Sequence, residues 1–284
     1  MADGSSSVEV SSIEMRLNER FSWQGRDVAW GRSGSGPPVV FCHGTPWSSR
    51  LWAPFAEGLE SDFTVHLWDM PGYGQSSKLA DHRVDFGVQG ELLADLLGHW
   101  GINRPHVMAH DFGGAVSLRA HLFHEAEYRS LMLVDVVAIP PTGSPFFRFV
   151  QQHAEPMAEI PDYIHAAIVS AYIQSASHPG LRDEDLAMLV APWTTDDGKP
   201  AFYRQIAQTD ERFLEDIQGR LRELDLRVRI LWGTEDTWIP ADIADRLADL
   251  IPGATVRRIA GAGHLVHLDA PVALANEVRA WLAR

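Results

Sequence analysis

Cysteine and lysine are almost absent from this chain of 284 residues. Cys42 is the single cysteine, so the chain can form no internal disulfide and no cysteine cluster for a metal. Lys78 and Lys199 are the only lysines, and 38 acidic residues outnumber 24 Lys and Arg, which gives a formal net charge of −14. Because clustered basic side chains bind nucleic-acid phosphates, we expect no nucleic-acid partner.

Long hydrophobic runs are also missing. No stretch reaches the roughly 18 uninterrupted apolar residues of a membrane span, and the polar residues 1–12 lack the apolar core of a secretion signal. We therefore expect a soluble, cytoplasmic protein with no membrane partner. The composition that is present, 45% hydrophobic and 22% charged, is typical of a globular chain and excludes a disordered one.

Short apolar runs alternate with helical periodicities along most of the chain. Gln24 and Gly25 mark a tight turn inside the second of these runs. The alternation predicts an α/β fold with a parallel sheet and helices on both faces. We predict strands at 8–17, 21–30, 39–42, 64–68, 106–109, 131–134, 228–232 and 256–259, and helices at 88–100, 113–124, 243–250 and 272–282.

The pattern changes between residues 140 and 224, where helical periodicities continue without a convincing strand. We predict that 1–139 and 225–284 form one core and that 140–224 form a helical lid. Sheets of this class bind ligands at their carboxyl edge, so we expect the lid to cover that edge. The alternative is a helical bundle that lies away from the site.

Asp111 follows a predicted strand, and the small residues Gly113 and Gly114 open the next predicted helix. A strand, a tight turn and a helix are the setting of a nucleophile elbow, here with Asp as the reactive residue. An ionised carboxylate needs no base before it attacks carbon. The alternative is that Asp111 only caps its helix.

Other reactive groups also follow predicted strands. The backbone N–H groups of Thr45 and Phe112 could donate to one developing oxyanion. Asp236 and His264 come directly after the strands predicted at 228–232 and 256–259. Because the chain order is that of triads on this architecture, we predict that Asp111 is the nucleophile, Asp236 the orienting acid and His264 the general base.

These strings resemble the α/β-hydrolase fold, and within it the Asp-nucleophile branch of epoxide hydrolases and of haloalkane and haloacetate dehalogenases. The resemblance implies a mostly parallel eight-stranded sheet, with helices on both faces and a lid inserted after strand 6. It also implies a double displacement without metal or organic cofactor, in which the carboxylate forms an alkyl ester that a His-activated water hydrolyses. A small apolar organic molecule and water are the expected partners. The motifs are His43-Gly44-Thr45-Pro46, the segment 69–76, His110-Asp111-Phe112-Gly113-Gly114, Asp236 and His264.

The same resemblance leaves the substrate open. Epoxide hydrolases protonate the opened ring with lid tyrosines, and Tyr203 in the string Phe202-Tyr203-Arg204 resembles one of these, with Tyr172 the weaker choice for the second. Dehalogenases hold the halide with indole or amide N–H groups, a role for which Trp47 or Trp193 could supply an indole. We predict hydrolysis of an epoxide to a diol. The alternatives are dehalogenation of a haloalkane or haloacid, hydrolysis of an ester, lactone or C–C bond, and non-catalytic binding of a small molecule.

Two further points concern the site and the assembly. Asp135, just after the strand predicted at 131–134, is the alternative triad acid, because some dehalogenases take the acid from that strand. We favour Asp236 because the string around it is complete. The sequence leaves the oligomeric state open and allows a homodimer.

Overall fold

A computed structural model describes residues 17–283. Within these residues, no helix has both the length and the apolar character needed to cross a membrane. The strands are β1 (Glu19–Trp23), β2 (Arg26–Gly34), β3 (Pro38–Cys42), β4 (Thr64–Trp68), β5 (His106–His110), β6 (Ser130–Val134), β7 (Arg227–Gly233) and β8 (Thr255–Ile259). The α-helices are α1 (Ala53–Glu57), α2 (Phe86–His99), α3 (Phe112–Phe123), α4 (Pro145–Glu159), α5 (Asp162–Gln174), α6 (Asp183–Val190), α7 (Gly198–Ala207), α8 (Arg212–Arg220), α9 (Ile243–Leu250), α10 (Val266–Asp269) and α11 (Pro271–Leu282).

The strands form one eight-stranded sheet in the order β1-β2-β4-β3-β5-β6-β7-β8. β2 pairs antiparallel with β1 and β4, and all the other pairs are parallel. The predicted mostly parallel α/β fold is therefore confirmed. After β3 the chain runs to one side as β4 and then crosses to the other side as β5. The carboxyl ends of β3 and β5 thus form the switch point at which such sheets bind ligands.

The amino-terminal part of the sheet differs from the prediction. The strand expected at 8–17 lies outside the described residues, apart from Leu17, which is not in a strand. The strand expected at 21–30 is a hairpin of β1 and β2, joined by Gln24 and Gly25 at φ values of 47° and 77°. Positive φ at both central residues matches the twist of the flanking strands, so the predicted turn at this place is confirmed.

Alternate side chains of the central strands pack into two cores, one on each face of the sheet. Val40 and Cys42 of β3 lie in the first core, and Val39 and Phe41 lie in the second. The uninterrupted apolar run of β3 is explained by this burial on both faces. Burial raises the pKa of the Cys42 thiol to about 12, so this cysteine is a neutral core residue.

Between β6 and β7 the chain forms α4 to α8 and no strand, all of it within the described residues. The predicted helical insertion is therefore present, and we keep the name lid for residues 140–224. The limits of the core and lid as domains remain predictions. The lid meets the core above the carboxyl end of β3, where the indole N–H of Trp193 donates to the carbonyl oxygen of Pro46 at 2.8 Å.

Candidate active site

Asp111 occupies a strained turn between β5 and α3. Its backbone angles are φ 50° and ψ −120°, a region that non-glycine residues rarely adopt and that is found where a site requires it. A Cβ at Gly113 would lie 2.5 Å from the carbonyl oxygen of Cys42, and one at Gly114 would lie 2.4 Å from Cβ of Val136. Small residues are therefore required after Asp111 for this turn to form.

The Asp111 side chain does not cap its helix. It makes no hydrogen bond to the first turn of α3, and its Oδ1 instead accepts the backbone N–H of Thr45 at 2.6 Å. A Cβ at Gly44 would lie 2.3 Å from Cβ of Asp111, so a glycine is needed for the Thr45 loop to approach this closely. The carboxylate is held toward the loop after β3 rather than toward its own helix.

His264 lies between two carboxylates at the edge of the sheet. Its Nε2 is 3.3 Å from Oδ2 of Asp111, and its Nδ1 is 2.9 Å from Oδ2 of Asp236. Oδ1 of Asp236 accepts the backbone N–H groups of Trp238 at 2.8 Å and Ile239 at 2.9 Å, which fix this carboxylate in place. The structure therefore brings together the three residues that were predicted as a triad, from the ends of β5, β7 and β8.

The protonation of His264 follows from these neighbours. Burial lowers the pKa of this imidazole, but the carboxylates of Asp236 and Asp111 outweigh burial and hold the pKa well above its ordinary value. The charged form of His264 is therefore favoured while both carboxylates are ionised.

The two predicted oxyanion donors are the backbone N–H groups of Thr45 and Phe112. The Thr45 amide already contacts Oδ1. Phe112 is the first residue of α3, so its N–H is one of those that a helix leaves without an intrahelical acceptor. His43 shapes the loop from below, since its Nε2 accepts the Met70 amide and its Nδ1 bonds the Gly44 carbonyl, each at 2.9 Å.

Asp135 does not contact His264 through a hydrogen bond. It is fully buried, and its Oδ1 accepts the backbone N–H of Gly233 at 2.8 Å. Burial first, and then the nearby charge of Asp236, raises the pKa of Asp135 well above its ordinary value. The neutral form of the Asp135 carboxyl group is therefore favoured, and the hydrogen bond that orients His264 comes from Asp236.

A small cavity opens directly onto Asp111. Its volume is about 20 Å³, enough for about one water molecule. No cationic side chain is among its lining residues within the described chain. They are Thr45, Asp111, Phe112, Val137, Thr142, Gly143, Ser144, Phe147, Tyr172, Trp238 and Ile239.

The two tyrosines proposed as lid acids are placed differently. Tyr172 lines the cavity, and its ring stacks at 4.2 Å on Trp238, which in turn stacks on His264 at 5.1 Å. Burial, followed by the charge of Asp111, raises the pKa of Tyr172, so its phenol remains a proton donor. The hydroxyl of Tyr203 is 2.8 Å from Nδ1 of His165, inside the lid, and the structure does not bring Tyr203 to the cavity.

The two indoles considered as halide ligands lie outside the cavity. The indole N–H of Trp193 donates to the carbonyl oxygen of Pro46, so it is not available to a halide. Trp47 is buried with its ring 5.7 Å from that of Trp238, and its N–H has no hydrogen-bond partner within the described residues. Trp238 does line the cavity, but its indole N–H donates to Oγ of Ser175 at 3.0 Å.

Three residues at the site were not predicted as site residues. Trp238 stands two positions after Asp236, so the motif around the acid offered a signal for it. Tyr73 follows β4 at the same carboxyl edge, which is a signal of the same kind. Gln205 accepts hydrogen bonds from Thr45 and Tyr73, yet it comes from the last turn of α7, where nothing in the sequence sets it apart.

The described part of the chain has no cluster of three or more His, Cys, Asp or Glu side chains arranged to hold a metal ion. The acidic and imidazole groups at the site contact one another instead, as Asp111, His264 and Asp236 do. The arrangement is suited to transfer of protons and to attack by a carboxylate.

Comparison with known proteins identifies the family. Residues 37–271 match the family described as the alpha/beta hydrolase fold. The chain belongs to this family. An alpha/beta hydrolase fold protein from Burkholderia ambifaria, solved by crystallography, is 46% identical with a TM-score of 0.90, and the match covers 93% of this chain and 98% of that one.

Two curated alpha/beta hydrolase relatives indicate the range of chemistry. A pimeloyl acyl-carrier protein methyl ester esterase of Methylococcus capsulatus is 29% identical over 250 residues, which are 83% of this chain and 91% of the relative. A fluoroacetate dehalogenase of Burkholderia sp is 34% identical over 108 residues, 37% of this chain and 36% of the relative. The protein is thus a hydrolase of the alpha/beta fold, and these relatives do not select one reaction.

Proposed function

We propose that this hydrolase opens small, uncharged epoxides to diols through an alkyl ester on Asp111. One observation carries the proposal. Oδ1 of Asp111 is held by the Thr45 amide, Oδ2 lies 3.3 Å from Nε2 of His264, and Tyr172 lines the same cavity as Asp111. The nucleophile and a proton donor thus line one small space, and the base contacts the nucleophile.

In the first step, Oδ2 of Asp111 attacks a ring carbon and the carbon–oxygen bond of the epoxide breaks. The electron pair goes to the ring oxygen, which takes a proton from Tyr172. The raised pKa of this phenol keeps it protonated until the alkoxide forms. The product of the step is a hydroxyalkyl ester with Oδ1 as its carbonyl oxygen.

Formation of the ester changes the charge around His264. Asp111 becomes neutral, so one of the two carboxylates that raise the pKa of His264 is lost. The imidazolium then gives its proton to the Tyr172 phenolate, which restores the phenol and leaves His264 neutral. His264 is converted to a base only after the nucleophile has reacted.

In the second step, His264 takes a proton from water, and the hydroxide attacks Cγ of Asp111. Negative charge develops on Oδ1, where the Thr45 amide already donates and the Phe112 amide is available. The intermediate collapses as the diol oxygen takes the proton from His264. The carboxylic acid that remains gives its proton back to His264 and restores the starting state.

Dehalogenation through the same ester is the second candidate. The similarity to a fluoroacetate dehalogenase favours it, as does the indole N–H of Trp47, which has no hydrogen-bond partner among residues 17–283 although Trp47 does not line the cavity. The lining of the cavity favours epoxides, because it holds neither a free indole N–H for halide nor a cation for a haloacid carboxylate. Halide release from haloalkanes and haloacids, measured beside diol formation from epoxides, separates the two candidates.

Ester, lactone or C–C bond hydrolysis remains as an alternative, as does binding without turnover. Related hydrolases with those activities use Ser at the elbow, where this chain has Asp111. We expect Asp111→Ser to lose epoxide opening and to gain weak esterase activity. Ligand binding with no turnover, and no effect of His264→Gln on any product, would support a binding protein instead.

A single turnover in heavy-oxygen water tests the ester. Water attacks Cγ of Asp111, so the label is expected in this carboxylate, while the new diol oxygen comes unlabelled from Oδ2. Peptide mass spectrometry locates the label, and the peptide that carries Asp135 serves as an internal control. Diol labelled in the first turnover, with an unlabelled Asp111, would show that water attacks the epoxide directly.

A further inference from the structure

One amide of the lid joins two hydroxyl groups of the core beside the nucleophile. Gln205 of α7 is buried, and its Oε1 accepts hydrogen bonds from Oγ1 of Thr45 at 2.7 Å and from the hydroxyl of Tyr73 at 2.9 Å. Thr45 and Tyr73 follow different strands, β3 and β4. A single lid oxygen therefore ties together two loops at the edge of the sheet.

The orientation of the Gln205 amide is fixed by its second contact. Its Nε2 donates to the carbonyl oxygen of Phe202, one turn earlier in α7, at 3.0 Å. Rotating the amide by half a turn would place Oε1 against this carbonyl, and two acceptors would face each other. Burial raises the pKa of Tyr73, so this hydroxyl keeps the proton that it donates. Gln205 must present its oxygen to the core.

Thr45 is held on both sides. Its hydroxyl donates to the lid, while its backbone N–H donates to Oδ1 of Asp111 at 2.6 Å. The next residue, Pro46, accepts the indole N–H of Trp193, which is also in the lid. The position of the Thr45 amide therefore depends on two contacts from the lid above it, at consecutive residues of the loop.

We propose that Gln205 is a positioning residue that sets the Thr45 amide for hydrolysis of the ester, so that this step requires a docked lid. The inference rests on the proposed ester intermediate, from epoxide or halide alike. Charge leaves Asp111 when the ester forms and returns to Oδ1 when water attacks, so a well-placed amide favours the second step over the first. Loss of the Gln205 contact should slow ester hydrolysis more than ester formation.

The test follows the ester on Asp111 by rapid quenching and peptide mass spectrometry, with propylene oxide, styrene oxide and cyclohexene oxide as probes. Gln205→Met and Thr45→Val each remove one partner of the contact. We expect both to accumulate the hydroxyalkyl ester, with its hydrolysis slowed roughly tenfold, less than when an oxyanion donor is deleted. Thr45→Ser, which keeps the hydroxyl, should hydrolyse the ester faster than Thr45→Val.

Gln208 offers a matched control in the same lid segment. Its Oε1 accepts the backbone N–H of Val84 at 2.7 Å, so it also joins lid to core but does not touch the Thr45 loop. Gln208→Met should leave the ratio of the two steps as in the unmodified protein. Equal accumulation of ester in Gln208→Met and Gln205→Met would reduce the role of Gln205 to general docking of the lid, and would overturn the proposal.

His264→Gln separates failure of the inference from failure of the proposed function. This variant lacks the base and should trap the ester. If it traps none with any of the three epoxides, or with chlorobutane or fluoroacetate, the ester route fails. If it traps ester while Gln205→Met and Thr45→Val accumulate none, only the positioning role is overturned. The double variant, with Gln205→Met and Thr45→Val combined, should hydrolyse the ester no more slowly than either single variant. Additive losses in the double variant would also count against a contact shared by the two residues.

Discussion

The two sides of Asp111 are built in different ways. On the sheet side, Thr45, Asp236 and His264 come directly after strands and are held by backbone hydrogen bonds or by one another. On the lid side, Tyr172 and Gln205 come from the last turns of α5 and α7 and reach the site through ring stacking and side-chain contacts. In the proposed reaction, the sheet side supplies the nucleophile and the base, and the lid side supplies the proton donor and the contact that positions the Thr45 amide.

Replacing the nucleophile on the sheet side should cause the largest loss of turnover. Asp111→Asn keeps the size of the side chain, but a neutral amide cannot attack an epoxide carbon. We expect turnover to fall by about 10⁴-fold or more, as when members of other catalytic triads are removed. Diol formation under saturating epoxide measures the loss. Retention of a tenth of the activity would mean that Asp111 is not the nucleophile.

Removing the base should slow hydrolysis of the ester much more than formation of the ester. For His264→Gln we expect ester formation to remain measurable, while hydrolysis of the ester slows by about 10² to 10⁴-fold, because a general base contributes about that much. A burst of adduct on Asp111 followed by slow diol release is the expected time course. Equal slowing of both phases would place His264 in the first step as well.

The lid side is tested by a pair of tyrosine variants. Tyr172→Phe removes the phenol that lines the cavity, and we expect ring opening to slow by about 10²-fold, at the lower end for a proton donor. Tyr203→Phe is the matched control, since its hydroxyl faces His165 within the lid. Epoxide turnover of both variants is the measurement. A larger loss in Tyr203→Phe than in Tyr172→Phe would reverse the assignment.

The smallest expected effect concerns Asp135, which lies on the sheet side of the site. Asp135 has a raised pKa, so its contribution to stability is fully present below about pH 4 and is lost as pH rises through the folded value. Asp135→Asn can still accept the Gly233 N–H and carries no titrating group. Relative to the unmodified protein, the variant should therefore gain free energy of unfolding as the pH rises from about 5 to about 8. Urea unfolding at both pH values measures this, and parallel curves would contradict it.

The sheet side could be predicted from the sequence because of its local order. A parallel strand ends at one edge, so residues that follow strands meet there whatever the intervening helices do. That rule is sufficient to place Asp111, Asp236 and His264 together. The same rule hardly distinguishes Asp236 from Asp135, because each of them follows a strand and the two strands are neighbours in the sheet. The backbone N–H of Gly233 that holds Asp135 is visible only in three dimensions.

The lid side could not be predicted in the same way. Periodicity identifies a helix but does not say which of its residues faces a partner formed by other parts of the chain. Tyr203 lies in a string that resembles a known motif, yet the rotation of α7 turns its hydroxyl to His165. Gln205, two residues later on the same helix, reaches the core instead. The choice between these neighbours depends on how α7 is packed.

The cavity at Asp111 is small, with a volume of about 20 Å³, and four of the residues that line it, Thr142, Gly143, Ser144 and Phe147, belong to the end of the β6–α4 connection and the start of α4. Under the proposed function, this segment selects among epoxides by size and shape. Variants that enlarge the cavity at these positions should change which epoxides are accepted, while the rate of the chemical steps stays the same.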